Sequence, residues 1–350
     1  MNFFKSKKIL VTGHTGFKGS WLCWLLNRMQ AEVVGYSLAP EKKKENNYIL
    51  TKLNENMKSV YGDINDKNKL YSVIDDFKPT VLFHLAAQPF VKYSYDYPLE
   101  TYQTNVMGTI NILDAIKEFK YIKSSVIVTT DKCYENSNAK IDYKEDDRLG
   151  GYDPYSSSKA MAELAVSAYY KSFISDLGIG LASARAGNII GGGDFGQNRL
   201  IPDIFNAIKN NKVISIRSPN STRPWQYILD ALFGYLTLSR KLYCEPEKYS
   251  CPFNFCSSNT KNLNVKQLTD KFISLLKPID LPQVEYYKSN FHEAKYLSLD
   301  SSKANNLLSW HSKLSIQESL EQTAKWYSSY LNGENPKELI INQIDNYINR

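Results

Sequence analysis

Apolar residues in the first half of the chain alternate between two textures. Short unbroken runs occupy residues 8–12, 31–37, 59–64, 79–88 and 124–130. Between them, residues 21–29, 66–77 and 98–117 carry apolar positions at helical density. Unbroken runs of that length predict strands buried on both faces, and the intervening stretches predict the helices that cover them. A helix over 155–173 and a strand over 179–185 extend the series. Such alternation predicts an α/β fold built on a doubly wound parallel sheet. Past residue 186 the regularity ends in Gly191-Gly192-Gly193, Pro202 and Thr222-Arg223-Pro224-Trp225-Gln226. Loops and short elements there predict a smaller C-terminal α/β lobe. The expected division is 1–185 as the nucleotide-binding domain and 186–333 as mainly a substrate-binding lobe, with allowance for the chain to return to the first domain. Residues 334–350 are expected to form a peripheral helical tail.

Composition narrows the class without changing this picture. The chain has 350 residues, 43% hydrophobic and 23% charged, which is ordinary for a globular protein of one large and one smaller domain. The net charge of +7 comes without long basic runs, since Lys7-Lys8 and residues 42–44 are short. That argues against a nucleic-acid partner and suits a small anionic substrate. Five cysteines without a C-x-x-C pair and four scattered histidines give no metal-ligand spacing, so no metal is expected. Free thiols fit a reducing cytoplasm. No signal peptide precedes the first strand run, and no stretch reaches the roughly 18 apolar residues of a membrane span.

The first strand run opens into Gly13-His14-Thr15-Gly16-Phe17-Lys18-Gly19, followed by a helix. Glycines at this junction let the backbone approach a pyrophosphate, and the helix N-terminus supplies N–H donors and a positive dipole. The second run ends in Ser37, where an acidic residue would hold an adenosine ribose. With lysines at 42–44 nearby, the residues alone leave NAD and NADP both open. Asp63 closes the third run on the expected adenine side. Ala86-Ala87 close the fourth with side chains small enough to lie against a cofactor. Asn105 falls inside the helix of 98–117, either exposed or turned inward to fix a local geometry.

Tyr155 and Lys159 are four residues apart and share one helix face. An ammonium near a phenol lowers its pKa and makes it a usable proton acceptor. The strand just before them ends in Thr129-Thr130-Asp131-Lys132, at the sheet edge where ligands of open α/β sheets bind. Arg185, Arg199, Arg217 and Arg223 are the candidates for a diphosphate, because guanidinium forks match its oxygens.

Three long motifs carry a resemblance that covers about residues 4–332. They are Thr130-Asp131-Lys132-Cys133-Tyr134-Glu135-Asn136, Leu149-Gly150-Gly151-Tyr152-Asp153-Pro154-Tyr155 through Lys159, and Arg185-Ala186-Gly187-Asn188 through Asp194. Thr222 to Gln226, His292-Glu293-Ala294 and Leu299-Asp300 add to them. With the glycine motif they resemble the nucleotide-sugar branch of the extended short-chain dehydrogenase/reductases, and within it the CDP-glucose 4,6-dehydratases. The chain departs from that pattern at Cys256 and Ser309, where glycines are usual, at Tyr227 for a histidine and at Arg148 for a proline.

The resemblance implies a Rossmann-type fold, a bound NAD, a CDP-sugar substrate and a homodimer through two long helices. It also implies a part in making deoxy sugars for bacterial surface polysaccharide. It places the cofactor on Gly13, Thr15, Gly16, Phe17, Gly19, Ser37, Asp63, Ile64, Leu85, Ala86, Ala87, Thr129, Tyr155 and Lys159. It places the substrate on Gln88, Asn188, Arg199, Arg217 and Arg223. In the implied reaction Tyr155 takes the proton of the sugar 4-hydroxyl, Thr130 binds the 4-oxygen and Asp131 protonates the departing 6-hydroxyl. Lys132 stands where related dTDP- and GDP-sugar dehydratases have a glutamate. It serves either as a neutral base at C5 or as a cation beside the enolate. A 4-epimerase needs the Tyr/Lys pair but no acid for a leaving hydroxyl, so Asp131-Lys132 favours the dehydratase. A catalytically silent regulator on the same fold is disfavoured by the intact Thr130, Tyr155 and Lys159.

Overall fold

The computed structural model describes residues 2–41, 45–137, 139–257, 263–277, 282–288 and 294–350. The lysines at 42–44, and His292-Glu293, lie outside the described residues. The strands in chain order are β1 (Lys8–Thr12), β2 (Glu32–Ser37), β3 (Lys58–Tyr61), β4 (Val81–His84), β5 (Ser124–Val128), β6 (Gly180–Ala186), β7 (Asn188–Ile190), β8 (Ile214–Arg217), β9 (Trp225–Tyr227), β10 (Phe253–Phe255) and β11 (Val284–Tyr287). Seven form one sheet in the order β10-β6-β5-β4-β1-β2-β3, and all its pairings are parallel. This is the doubly wound Rossmann-type sheet.

The register follows from the unbroken apolar runs. Leu10 sits between Val34 of β2 and Leu82 of β4. Side chains alternate along a strand, so Ile9 and Val11 enter one hydrophobic core while Leu10, Val34 and Leu82 enter the other. Both faces of β1 are thereby sealed, which is why its sequence shows no polar alternation.

The direction of winding reverses between β1 and β4, and a crevice opens there beyond the strand ends. The fourth strand is shorter than the run of residues 79–88 predicts. The Thr12 hydroxyl accepts the N–H groups of Leu85 and Ala86 at 3.2 Å each, so the chain leaves the ladder after His84 without losing its hydrogen bonds.

Beyond β6 the lobe is built on two small parallel pairs, β7 with β9 and β8 with β11. Between them β10 returns to the main sheet and pairs with β6. The final helix, Pro336–Ile348, is more than a peripheral tail. Its Ile340 and Ile344 are fully buried, Tyr347 donates a hydrogen bond to Asp230 at 2.5 Å, and Asp345 pairs with Arg28 of the first helix at 2.8 Å. Two departures from the family pattern have local explanations. Ser309 ends the helix Ser302–Leu308 at φ 53°, the left-handed region that glycine occupies most easily. Cys256 is buried with its thiol donating to the Leu299 carbonyl.

Candidate active site

The first helix, Phe17–Arg28, begins directly after the glycine turn, and its N-cap Gly16 offers no side-chain cap. Its first N–H groups are left for an anion. Gly13 has φ 75°, and a Cβ there would lie 2.6 Å from the Ala86 nitrogen. A Cβ on Gly19 would strike the Gly13 carbonyl. Only glycine at both positions lets the ends of β1 and β4 close into a cradle with bare backbone on its floor.

That cradle is part of a cavity of about 890 Å³, within the usual range for ligand sites. Gly13, Thr15, Gly16, Phe17 and Gly19 line it from the first turn, and Ser37, Asp63 and Ile64 from the ends of β2 and β3. Leu85, Ala86, Ala87 and Gln88 line it beyond β4, and Thr129, Tyr155 and Lys159 beyond β5. The hydroxyls of Thr15 and Ser37 are 2.9 Å apart at the end of β2. Tyr36 donates to the Asp63 carbonyl at 2.8 Å, fixing the wall where an adenine would lie. The open cradle, the uncapped helix start and the hydroxyl pair at the ribose position fit a dinucleotide.

The helix Pro154–Tyr169 carries Tyr155 and Lys159. Pro154 occupies the first turn, and Asp153 caps it by accepting from the Ser156 N–H at 2.9 Å. The Tyr155 phenol is pushed above its ordinary pKa by burial first and by Asp131 and Asp153. A hydrogen bond with Thr130 and the charge of Arg199 act in the other direction. Lys159 donates to the Val128 carbonyl at 3.3 Å, and burial lowers its pKa to about 8. The spacing argument gave Lys159 the leading influence on Tyr155. In this geometry burial dominates the phenol, and Thr130 is the first group to oppose it.

Thr130 also donates to Asp131 Oδ1 at 2.8 Å, so Thr130 and Asp131 are joined directly, with the Tyr155 phenol beside them. Asp131 is buried, and its Oδ2 has no hydrogen-bond partner among the described residues. Burial holds its carboxyl above the usual range, against the charges of Lys132, Arg223 and Lys18 and the Thr130 bond. A carboxyl shifted in that direction holds its proton more tightly than an exposed one. Lys132 is half-buried, with its N–H directed at the Thr130 hydroxyl at 3.4 Å. Thr130, Asp131 and Lys132 lie at the margin of the cavity rather than in its wall.

Asn105 is turned inward. It sits in a π-turn, Gln103–Met107, that joins the helices Pro98–Tyr102 and Gly108–Glu118. Its amide accepts from the Gln88 N–H at 2.8 Å and donates to the Gln88 carbonyl and the Ser158 hydroxyl. This ties the floor beyond β4 to the Tyr155 helix.

The proposed substrate residues are placed less uniformly. Arg199 lines the cavity, pairs with Asp194 at 3.0 Å and stacks its guanidinium 5.0 Å from the Phe90 ring centre. Gln88 lines it too, but its amide is engaged with Phe90 and Thr101. Asn188, Arg217 and Arg223 do not line it. Asn188 starts β7, Arg217 donates to the Asn198 carbonyl at 3.3 Å, and buried Arg223 donates to the Thr222 and Ala294 carbonyls at 2.9 and 2.7 Å. Arg185 is no diphosphate ligand at all: it forms a fully buried ion pair with Glu163 at 2.8 Å.

Sequence reasoning passed over Lys18 and Glu163. Lys18 lines the cavity, and burial followed by the charges of Arg199 and Lys159 lowers its pKa to about 8. A lysine inside a phosphate-type glycine turn was the available signal. Among the described residues, no group of His, Cys, Asp or Glu is arranged to hold a metal ion, and no helix is long and apolar enough to cross a membrane.

Residues 10–323 match the family model described as GDP-mannose 4,6 dehydratase. The chain is 44% identical over 353 aligned residues to CDP-glucose 4,6-dehydratase of Salmonella typhimurium, covering 99% of this chain and 98% of that one. Among solved structures it is similar to dTDP-glucose 4,6-dehydratase of Bacillus anthracis in complex with NAD. That likeness has TM-score 0.78 and 24% identity, covering 95% of this chain and all of the other (100%). It is similar also to UDP-glucose 4-epimerase of Thermotoga maritima, with TM-score 0.80, 21% identity and coverage of 93% and 99%.

Proposed function

The chain belongs to the GDP-mannose 4,6-dehydratase family of nucleotide-sugar enzymes, and within it we propose that it dehydrates CDP-glucose to the CDP-linked 4-keto-6-deoxy sugar, with NAD as cofactor. Near end-to-end similarity to a CDP-glucose 4,6-dehydratase supports the nucleotide and the sugar. The observation that carries the reaction type is the buried Asp131 carboxyl beside Thr130 and Tyr155, held above the usual carboxylate range. A 4-epimerase has no leaving hydroxyl and no use for that acid.

The glycine turn with Thr15 and Phe17 would hold the pyrophosphate of NAD. Ser37, Asp63 and Ile64 would hold its adenosine half, and Leu85, Ala86, Ala87, Thr129, Tyr155 and Lys159 its nicotinamide half. When bound, NAD supplies a reversible hydride acceptor and leaves the reaction unchanged. The residues do the rest. Tyr155 takes the proton of the 4-hydroxyl, and Thr130, lying between Tyr155 and Asp131, binds the 4-oxygen. A ketone at C4 acidifies the C5 proton, which Lys132 removes as a neutral amine. Asp131 then gives its proton to the departing 6-hydroxyl. Arg199 from the lobe and Gln88 from beyond β4 bind the CDP-sugar where they line the cavity, and Asn188, Arg217 and Arg223 serve it from behind that lining. Residues 1–185 and 186–333 serve as the cofactor and substrate units.

The enzyme works in the cytoplasm, in deoxy-sugar synthesis for surface polysaccharide. It forms a dimer through the helices around Leu99 and Met107 and around Met161 and Leu164, whose apolar side chains are exposed. A monomer in solution scattering would remove the dimer. Incubating the purified protein with NAD and CDP-glucose is the test of the reaction. A 4-keto product is expected. Unchanged substrate, or CDP-galactose, refutes it.

A further inference from the structure

The Glu163–Arg185 pair is the most deeply buried ion pair described, with both side chains almost wholly out of solvent. The reaction above does not use it. Glu163 lies one helical turn beyond Lys159 on the same helix. Its Oε1 accepts from the Thr129 hydroxyl at the end of β5, and its Oε2 accepts from Ser183 of β6 at 2.6 Å and from Arg185 at 2.8 Å. Arg185 in turn donates to the Tyr134 hydroxyl at 2.8 Å and to the Glu145 carbonyl at 2.9 Å. Tyr134 donates to Asn254 of the returning strand β10 at 2.7 Å. One carboxylate therefore joins the Lys159 helix, the β5 end whose Val128 carbonyl Lys159 grips, β6, and through Arg185 the loop after Lys132.

An ion pair far from the chemistry would be interchangeable with apolar packing. This one is not far. Lys159 is a buried cation, and the groups acting on it are few. Burial lowers its proton affinity, while Glu163 and, less strongly, Cys133 raise it. From the first helix Lys18 faces it with a like charge, and His84 on β4 is neutral beside it, pushed down to about 3 by burial and by Lys159 itself. Among these only Glu163 is a carboxylate.

We propose that Glu163 is the positioning residue of Lys159: its carboxylate locks the helix turn carrying Lys159 to the ends of β5 and β6 and sets a buried negative charge one helical turn from the ammonium. This rests on the reading of Lys159 as part of the reaction centre. The anion sustains a charged Lys159 beside Tyr155 at a pH where burial alone would discharge it. Arg185 keeps the carboxylate aimed.

The test is the titration of Lys159 in cofactor-free protein with lysines isotopically labelled at Cε, followed by NMR and assigned by the resonance missing in Lys159→Met. In Glu163→Gln the midpoint is expected to fall by about one pH unit or more. The basic limb of the kcat profile on CDP-glucose should move the same way, and Glu163→Asp should restore part of both. If Glu163→Gln does not fold with Arg185 left unpaired, the double variant Glu163→Gln with Arg185→Met carries the same measurement. A Lys159 midpoint equal to that of the parent, with only thermal stability reduced, would overturn the proposal and leave Glu163 a structural residue. A parent enzyme inactive on CDP-glucose would refute the assigned reaction instead, and the NMR titration would still decide the role of Glu163.

Discussion

The two halves of the cavity are built by different means. On the cofactor side the wall is made from strand ends, and each position follows from sheet register. Gly13 follows β1, Ser37 ends β2 and Ala86 follows β4. On the opposite side the wall comes from the loop after β7, residues 193–199, and the charged residues in and behind it hold the lobe together. Arg199 is paired with Asp194, Arg217 braces Asn198 and Arg223 holds two carbonyls. A residue at a strand end gets its position from backbone pairing and keeps its side chain or bare backbone for a ligand. A residue in a loop lobe spends part of its side chain on making its own position.

The comparison is broken most forcefully where the halves meet, at Tyr155. Tyr155→Phe keeps the ring and the shape, loses the proton acceptor and should cost about 10²–10⁴ in turnover. Rapid mixing that showed C4 oxidation at close to the parent rate would remove Tyr155 as the base.

Lys132→Gln separates the steps. It should still oxidise C4 but stall before water is lost, with C5 exchange against deuterated solvent abolished. Exchange at the parent rate would reassign the base.

Arg223→Ala sharpens the contrast between the halves. Most of a diphosphate contact exists before reaction, so KM should rise about ten- to a hundredfold with a far smaller change in kcat. An unchanged KM would confine Arg223 to holding the Thr222 and Ala294 carbonyls and move the diphosphate toward Arg199.

The smallest effect belongs to the cofactor half and to stability. His14 and His84 are buried and neutral, with pKa lowered by burial to about 4 and about 3 from 6.5. Below about 6.5 the unfolded chain binds protons that the folded chain refuses. Stability is therefore fully present above that pH and is lost progressively as pH falls toward those lower values. Thermal unfolding should come several degrees earlier at pH 5 than at pH 7, by a margin reduced in His84→Gln. A margin unchanged in that variant would remove His84 as a contributor.

Legibility in the sequence follows the same division. The parallel sheet and the residues at its strand ends could be read because buried strands leave unbroken apolar runs and the glycine turn has one physical use. The short β4 was hidden because the Thr12 hydroxyl takes up the Ala86 N–H where the ladder stops, which no local pattern reveals. Arg185 resembled the other arginines in sequence. Its partner Glu163 lies 22 positions upstream on the helix Pro154–Tyr169, and only the fold brings the two together. The closing helix looked peripheral because its anchor, Asp230, is more than a hundred residues away, 117 positions from Tyr347. Lys18 lay in plain view inside the glycine turn, but its closeness to Lys159 and Arg199 depends on three separate elements.

The central claim is that one cavity oxidises C4, expels the 6-hydroxyl and closes the cycle on the same sugar. Its most direct test uses CDP-glucose carrying deuterium at C4, with the product examined by mass spectrometry and NMR. The account predicts a 4-keto-6-deoxy product with that deuterium on C6. Deuterium retained at C4 of an epimerised sugar, or released to solvent, would contradict it.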